Sequence, residues 1–217
     1  MPKHLQREIE NLKKKLLSLG AKVEAVVRDA AVSIEKYDGK LAQKVVDNDV
    51  NIDMAEVEIE EDCLKILALH QPVAIDLRFI VAVLKINNDL ERIGDLAVNM
   101  AERVVYLVEH PKVNISLDIV EMARNAQMML KMSLDALVEL DADLAHKVCM
   151  SDDSVDAMNR QMYEKVQQAM RKNPDQVPSL IHLLSASRQL ERIADHATNI
   201  AEDVIYMIEG QIIRHKK

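Results

Sequence analysis

The sequence predicts an all-α protein: a tandem duplication of two antiparallel three-helix bundles, six long helices in all. Three observations carry this expectation. Apolar residues recur at steps of three and four along almost the whole chain, the period of helices that bury one seam. Turn formers are scarce, with four Gly and five Pro in 217 residues, too few for the many turns of a sheet protein of this length. A stretch in the middle of the chain returns near its end with its polar residues intact.

The first helix carries Leu5, Ile9, Leu12, Leu16, Leu19, Val23, Val26 and Ala30 on one seam and ends at Asp38-Gly39. The second runs from there to His70-Gln71-Pro72. The third places Phe79, Val83, Ile86, Leu90, Ile93, Ala97, Met100 and Val104 on its seam and stops at His110-Pro111. A longer break precedes the fourth. Asp141-Ala-Asp143 supplies an N-cap region for the fifth, and Asn173-Pro174 to Pro178 opens the sixth. Each helix is expected to span roughly 25–35 residues, about 40–50 Å at 1.5 Å per residue. Short connections make neighbours antiparallel. The expected division is 1–110 for the first bundle and 111–217 for the second.

The repeat sets this organisation. Leu90-Glu-Arg-Ile-Gly-Asp-Leu-Ala-Val-Asn-Met-Ala-Glu-Arg-Val-Val-Tyr106 aligns with Leu190-Glu-Arg-Ile-Ala-Asp-His-Ala-Thr-Asn-Ile-Ala-Glu-Asp-Val-Ile-Tyr206 at a constant offset of 100 (190 minus 90). Asp38-Gly-Lys-Leu-Ala-Gln-Lys-Val-Val aligns with Asp141-Ala-Asp-Leu-Ala-His-Lys-Val-Cys at an offset of 103 (141 minus 38), a register that also matches Asp49 and Asp53 with Asp152 and Asp156. Two unrelated amphipathic helices would share apolar positions only. Here Glu, Arg, Asp and Asn recur as well.

Composition narrows the function. Hydrophobic residues make up 49% and charged residues 29%, a folded chain rather than a disordered one. There is no Trp, one Phe and four Tyr, so aliphatic residues and 12 Met fill the core. The net charge of −8, with pI near 5.4, argues against nucleic acid, whose partners carry basic surfaces, and favours cations or protein partners. The longest purely apolar run, Phe79 to Leu84, is too short to cross a bilayer, and the N-terminus lacks the apolar core of a signal segment. A cytoplasmic protein is expected. Cys63 and Cys149 are isolated and read as buried free thiols of a reducing compartment.

Glu91, Asp95, Asn99 and Glu102 fall within an arc of about 80° on a helix, and Glu191, Asp195, Asn199 and Glu202 repeat that face. The apolar seam lies roughly opposite. Two readings stand side by side. Carboxylates one turn apart are common on solvated helix faces, with Arg92 and Arg192 as local counter-charges. Repetition of the whole polar pattern favours a cation site instead, because hard cations prefer several oxygen ligands. Asp49, Asp53 and Glu56 share one face of the second helix, matched by Asp152, Asp156 and Asn159 on the fifth. Spacing alone leaves open whether they reach the acidic faces of the third and sixth. His196 stands opposite Leu96 in the repeat, so a site using it would be asymmetric. His70, His110 and His146 lie near helix ends and read as capping or solvated groups. No His-Glu-x-x-His, Glu-x-x-His pair, phosphate loop or catalytic triad appears, and the chain does not read as an enzyme.

The paired stretches Leu90-Glu-Arg-Ile-Gly-Asp95 and Leu190-Glu-Arg-Ile-Ala-Asp-His-Ala-Thr-Asn-Ile-Ala-Glu202 resemble the motifs of the PhoU family. So do His70-Gln-Pro-Val-Ala-Ile-Asp-Leu-Arg78 and Asp152-Asp-Ser-Val-Asp156, and the resemblance covers essentially the full chain. It implies a cytosolic negative regulator of the phosphate-starvation response and of phosphate uptake. Such a protein relays the state of a phosphate ABC transporter, through its ATPase subunit, to a PhoR-type sensor histidine kinase. It implies a homodimer that meets the membrane only through partners. It also implies metal ions on the acidic faces (iron, zinc, nickel, magnesium or calcium), with Glu91, Asp95, Glu191 and Asp195 as candidate ligands and Asp49, Asp53, Asp152 and Asp156 as further ones. Arg78, Arg92 and Arg192 are candidates for partner contact; Arg78 has Pro178 as its counterpart and would serve the first half alone. A helical scaffold without metal and a carboxylate-bridged metalloprotein are the competing readings.

Overall fold

A computed structural model of the chain describes residues 3–113 and 118–210. The Met1-Pro2 end and residues 114–117 and 211–217 lie outside the described part. Among the described residues the protein is helical throughout, with no strand. The elements are α1 (Lys3–Lys36), α2 (Gly39–Asp47), α3 (Val50–His70), α4 (Ala74–Val108), α5 (Ile119–Glu139), α6 (Ala142–Lys172) and α7 (Val177–Glu209), with a short 3₁₀ turn at Pro174–Gln176 before the last.

The expected punctuation is where the helices stop. Asp38 caps α2, its carboxylate accepting from the backbone N–H groups of Lys40 and Leu41 at 3.1 and 3.0 Å. Its counterpart Asp141 caps α6, accepting from Leu144 at 2.9 Å. So few glycines leave most helix ends to other residues. Tyr37 (φ 52°), Gln71 (φ 42°) and Leu140 (φ 54°) take the left-handed conformation after α1, α3 and α5, and only α7 ends on a glycine, Gly210 (φ 72°). A side chain in that region costs about 1 kcal/mol or more.

The second predicted helix is broken in two. At Asp47-Asn48-Asp49 the backbone tightens: Asn48 and Asp49 donate to Val45 and Val46 three residues back (3.2 and 3.4 Å), and Asn51 Nδ2 donates to Asn48 Oδ1 at 2.7 Å. Short polar side chains compete for backbone groups and favour such turns. In the second half, Ser151-Asp152 passes through the same register without a break in α6. The fourth helix, α5, is shorter than expected at 21 residues.

The seams read from the sequence are the core. Leu12, Leu16, Leu19, Ile80, Val83, Ile86, Leu90, Ile93 and Met100 are all buried, as are Leu180, Leu190, Ile193 and Ile200 in the second half. Cys63 is buried and Cys149 half-buried, both free; burial pushes their thiols up to about 12 and about 11.

The two halves share one continuous core, and the most extensive packing in the molecule joins α4 to α7. These helices are the repeated ones, and they cross antiparallel in a fixed register. Lys85 Nζ meets Asp203 Oδ1 at 3.0 Å and lies over the Tyr206 ring at 5.2 Å. His196 Nδ1 donates to Asp89 Oδ1 at 2.7 Å, and Asn199 Nδ2 reaches the same oxygen at 3.4 Å. Tyr106 stacks on His182 at 3.8 Å. The Arg78 guanidinium packs on Gly210, where the negative end of the α7 dipole favours it. The pairs 78/210, 85/203, 89/199 and 106/182 step in opposite directions by equal amounts. With a repeat offset of 100, each contact therefore has a mate related by a local twofold axis near residues 94 and 194.

Gly94 shows how the duplicated cores were repacked. A Cβ there would lie 3.1 Å from Ile52 Cδ1 and 3.3 Å from Cγ2. In the second half the corresponding pair is Ala194 and Val155, a larger residue on one helix and a smaller one on the other. Gly94→Ala alone should therefore destabilise by about 1 kcal/mol, with crowding outweighing the helix-propensity gain. Combined with Ile52→Val it should return to within about 0.5 kcal/mol of the parent. A urea double-mutant cycle with no coupling would refute this account.

Candidate functional site

The structure answers what spacing left open: the acidic faces of neighbouring helices come together. In the first half, Asp49 at the start of α3 and Asp53 and Glu56 within it lie alongside Glu91, Asp95 and Glu102 of α4. Asp49 feels the charges of Asp53, Asp95 and Glu102; Glu91 feels those of Asp95, Glu56 and Asp53. In the second half, Asp152 of α6 feels Asp195 and Asp156, and Asp195 of α7 feels Glu191 and Asp156. The acidic face forms a strip shared by the second and third legs of each half.

Burial and like charge act in the same direction along both strips. Loss of solvent, and then the neighbouring carboxylates, raise Asp49, Glu56, Glu91 and Asp195 above the usual carboxylate range. Asp152 is pushed up to about 6, by burial first and then by Asp195 and Asp156; Thr198 beside it offsets this in part without forming a well-aligned hydrogen bond. Asp49 and Asp152 occupy the same place in the repeat, and each keeps one buried carboxylate oxygen, Oδ1, with no hydrogen-bond partner. Asp49 stands at the turn between α2 and α3, whereas Asp152 lies within a continuous helix.

Positive charge is sparse here. Arg92 is exposed and reaches Asp95 at 3.2 Å and Glu91 at 3.5 Å. His196 and then the exposed Arg192 draw Asp195 downward, against the larger influence of burial, Glu191 and Asp156. Arg78 belongs elsewhere, at the end of α7, on a junction between the halves. Among the described residues, no group of three or more His, Cys, Asp or Glu side chains gathers in a way that holds a metal ion. The carboxylates line a strip of oxygen donors and do not converge on a point. That donor set suits hard cations, contains no thiolate or imidazole, and offers no nucleophile with an adjacent base.

Each strip is braced by a hydrogen bond whose chemistry has been exchanged. Asn87 Nδ2 donates to Glu56 Oε1 at 3.1 Å and to the Glu56 carbonyl at 2.9 Å. At the equivalent place Ser187 Oγ donates to Asn159 Oδ1 at 2.9 Å. The loss of a carboxylate at Asn159 thus goes with a changed donor on the facing helix, and the second strip carries one charge fewer. Sequence reasoning did not find Asp89, Lys85 or Asp203. Their signal was a mismatch in the repeat, Asp89 against Gln189 and Asp203 against Arg103.

The PhoU domain family model matches this chain twice, over residues 16–104 and 119–204. A phosphate-specific transport system accessory protein PhoU homolog of Pseudomonas aeruginosa is 38% identical over 211 residues, covering 96% of this chain and 86% of that protein. The crystal structure of PhoU from Pseudomonas aeruginosa superposes with a TM-score of 0.93 at 37% identity, over 95% of this chain and 99% of that one. The crystal structure of the phosphate transport system regulatory protein PhoU from Streptococcus pneumoniae superposes with a TM-score of 0.86 at 26% identity, over 96% of this chain and 98% of that one.

The raised Asp152 gives the site a pH signature. An acid moved from 3.8 to about 6 holds its proton more tightly folded than unfolded. Its stabilising effect is complete below the unfolded value and is lost as pH rises through about 6. Asp152→Asn should therefore gain about 1 kcal/mol over the parent at pH 7, after allowance for solvent screening, and little near pH 4. Denaturant titrations at both pH values check this; an equal difference at both would contradict it.

Proposed function

This chain belongs to the PhoU family, and from that premise we propose that it serves a phosphate-specific transport system as a regulatory accessory protein and not as an enzyme. The observation that carries the reading is the full-length match to proteins described as accessory to such a system, with both halves aligned. The finer reading is negative regulation of the phosphate-starvation response and of uptake, in the cytoplasm, as a homodimer. The protein would take the state of the transporter from its ATPase subunit and pass it to a PhoR-type sensor histidine kinase. Two features support an adaptor role. No helix among the described residues is long and apolar enough to cross a membrane, and in this reading contact with it runs through partners. The strips supply charge and hydrogen-bonding groups on long rigid helices, without a catalytic constellation.

The acidic strips are also read as cation sites. Asp49, Asp53, Glu91 and Asp95 would hold one ion or more, and Asp152, Asp156, Glu191 and Asp195 the other. The unsatisfied oxygens of Asp49 and Asp152 support this, as do the raised pKa values of the crowded carboxylates. A bound cation would neutralise that crowding and tie the two helices of each strip together. The reading without metal is favoured by the lack of a converged ligand group.

Two measurements test the regulatory role and the cation sites in turn. Deleting the gene should switch on phosphate-starvation genes in high phosphate, read by reporter or transcript level; unchanged repression would overturn the regulatory role. Elemental analysis of the purified protein should find iron, zinc, nickel or another di- or trivalent ion. Glu91→Gln with Asp95→Asn should halve the bound metal, and undiminished content would defeat the ligand assignment.

A further inference from the structure

α3 is apolar on two opposite faces. Ile52, Ile59, Cys63 and Ile66 point into the core. Val50, Met54, Val57 and Leu64 point outward within an arc of about 80°, and they are strongly exposed, from 49% at Val57 to 61% at Val50. Mostly acidic residues border this outer stripe: Asp53 and Glu60 along one edge, Glu58 with Lys65 along the other, and Glu61 within it. Four exposed apolar residues in one row on an acidic helix are not accounted for by the fold or by the acidic strip. A contiguous patch of this kind marks a contact surface.

The repeat shows where the matching surface lies. At an offset of 103, Met54, Val57 and Leu64 become Ala157, Arg160 and Gln167 on α6, so the second half has lost the stripe. In its place the outer side of α6 and α7 forms an open groove of about 550 Å³. Tyr163, Ile181 and Leu184 supply its apolar surface, Arg188 and Arg160 its positive charge (Arg160 also lies 3.8 Å from Asp156), and Glu191 lines the end nearest the acidic strip. Tyr163 and Arg188 stand where the first half has Glu60 and Asn88. The same position on the two halves has thus diverged in opposite senses, to an acidic apolar ridge and to a basic aromatic-lined groove.

We infer that the α3 ridge of one chain docks in the α6–α7 groove of a second copy of this chain. Apolar side chains meet apolar side chains, with Glu60 and Glu61 of the ridge brought toward Arg160 and Arg188 of the groove. Pairing the ridge with its own copy would instead set Asp53, Glu58, Glu60 and Glu61 against their like, which costs affinity and specificity. This contact rests on the homodimer reading above and specifies its surfaces. It does not depend on metal.

The test uses the full chain in sedimentation-velocity experiments, with circular dichroism confirming that each variant is folded. Val57→Glu breaks the ridge and leaves the groove; Arg188→Glu breaks the groove and leaves the ridge. Each alone should weaken self-association about 30-fold or more. An equimolar mixture, which restores one intact ridge and one intact groove, should associate more tightly than either variant by itself. A monomeric parent protein would overturn the homodimer reading and this contact together. A parent that dimerises while Arg188→Glu dimerises equally well would overturn only the groove assignment. A mixture no tighter than the separate variants would overturn the ridge-to-groove match.

Discussion

Everything in this molecule is arranged around the antiparallel crossing of α4 and α7. These two helices carry the duplicated motif, and each buries its seam against its own bundle while flanking the other. Because the repeat packs against itself, the register of one contact dictates the position of another on the far side of the local axis. Polar groups on this junction are sharply placed: Asp203 is almost wholly buried and is met by Lys85. A buried carboxylate without a partner costs several kcal/mol, so the pairing resists slippage of one helix along the other. Apolar packing sets the affinity of the halves, and these few polar contacts set their alignment.

That alignment has consequences for the acidic strips. Once α4 and α7 are fixed back to back, their carboxylate faces can lie only along the seams with α3 and α6. The crowding there is the converse of the pairing at the junction. Asp49 and Asp152 are half-buried among like charges with one oxygen unsatisfied, an arrangement that stability alone would not produce. Local departures from the rules of stable packing are characteristic of functional positions.

The architecture was legible because its signals are periodic and repeated. Seam residues such as Leu90, Ile93 and Met100 follow helical spacing, and Asp38 and Asp141 announce helix starts through a local hydrogen bond that needs no tertiary information. The break at Asn48-Asp49 was not legible, since Ser151-Asp152 shows that a similar polar sequence can stay helical when its surroundings hold it. The membership of the acidic strips was readable from the matching offsets. That the faces of neighbouring helices adjoin was not, because it depends on how α3 rolls against α4. The exchange of Asn87–Glu56 for Ser187–Asn159 was visible only as two separate mismatches until the structure made them one contact.

The junction contacts also bear on how such a duplicated chain can have evolved. Lys85 meets Asp203, and the residue that holds the place of Asp203 in the first half is Arg103. Two first halves brought together in this register would set Lys85 against Arg103 twice and leave Asp89 facing Leu96 instead of His196. A symmetric ancestor of this shape must have carried different residues at these places. The two halves are now unequal partners in one polypeptide, each matched to the other at these contacts. A second copy of the first half in place of the second would set these cations together, so the two halves of the polypeptide are complementary and not interchangeable.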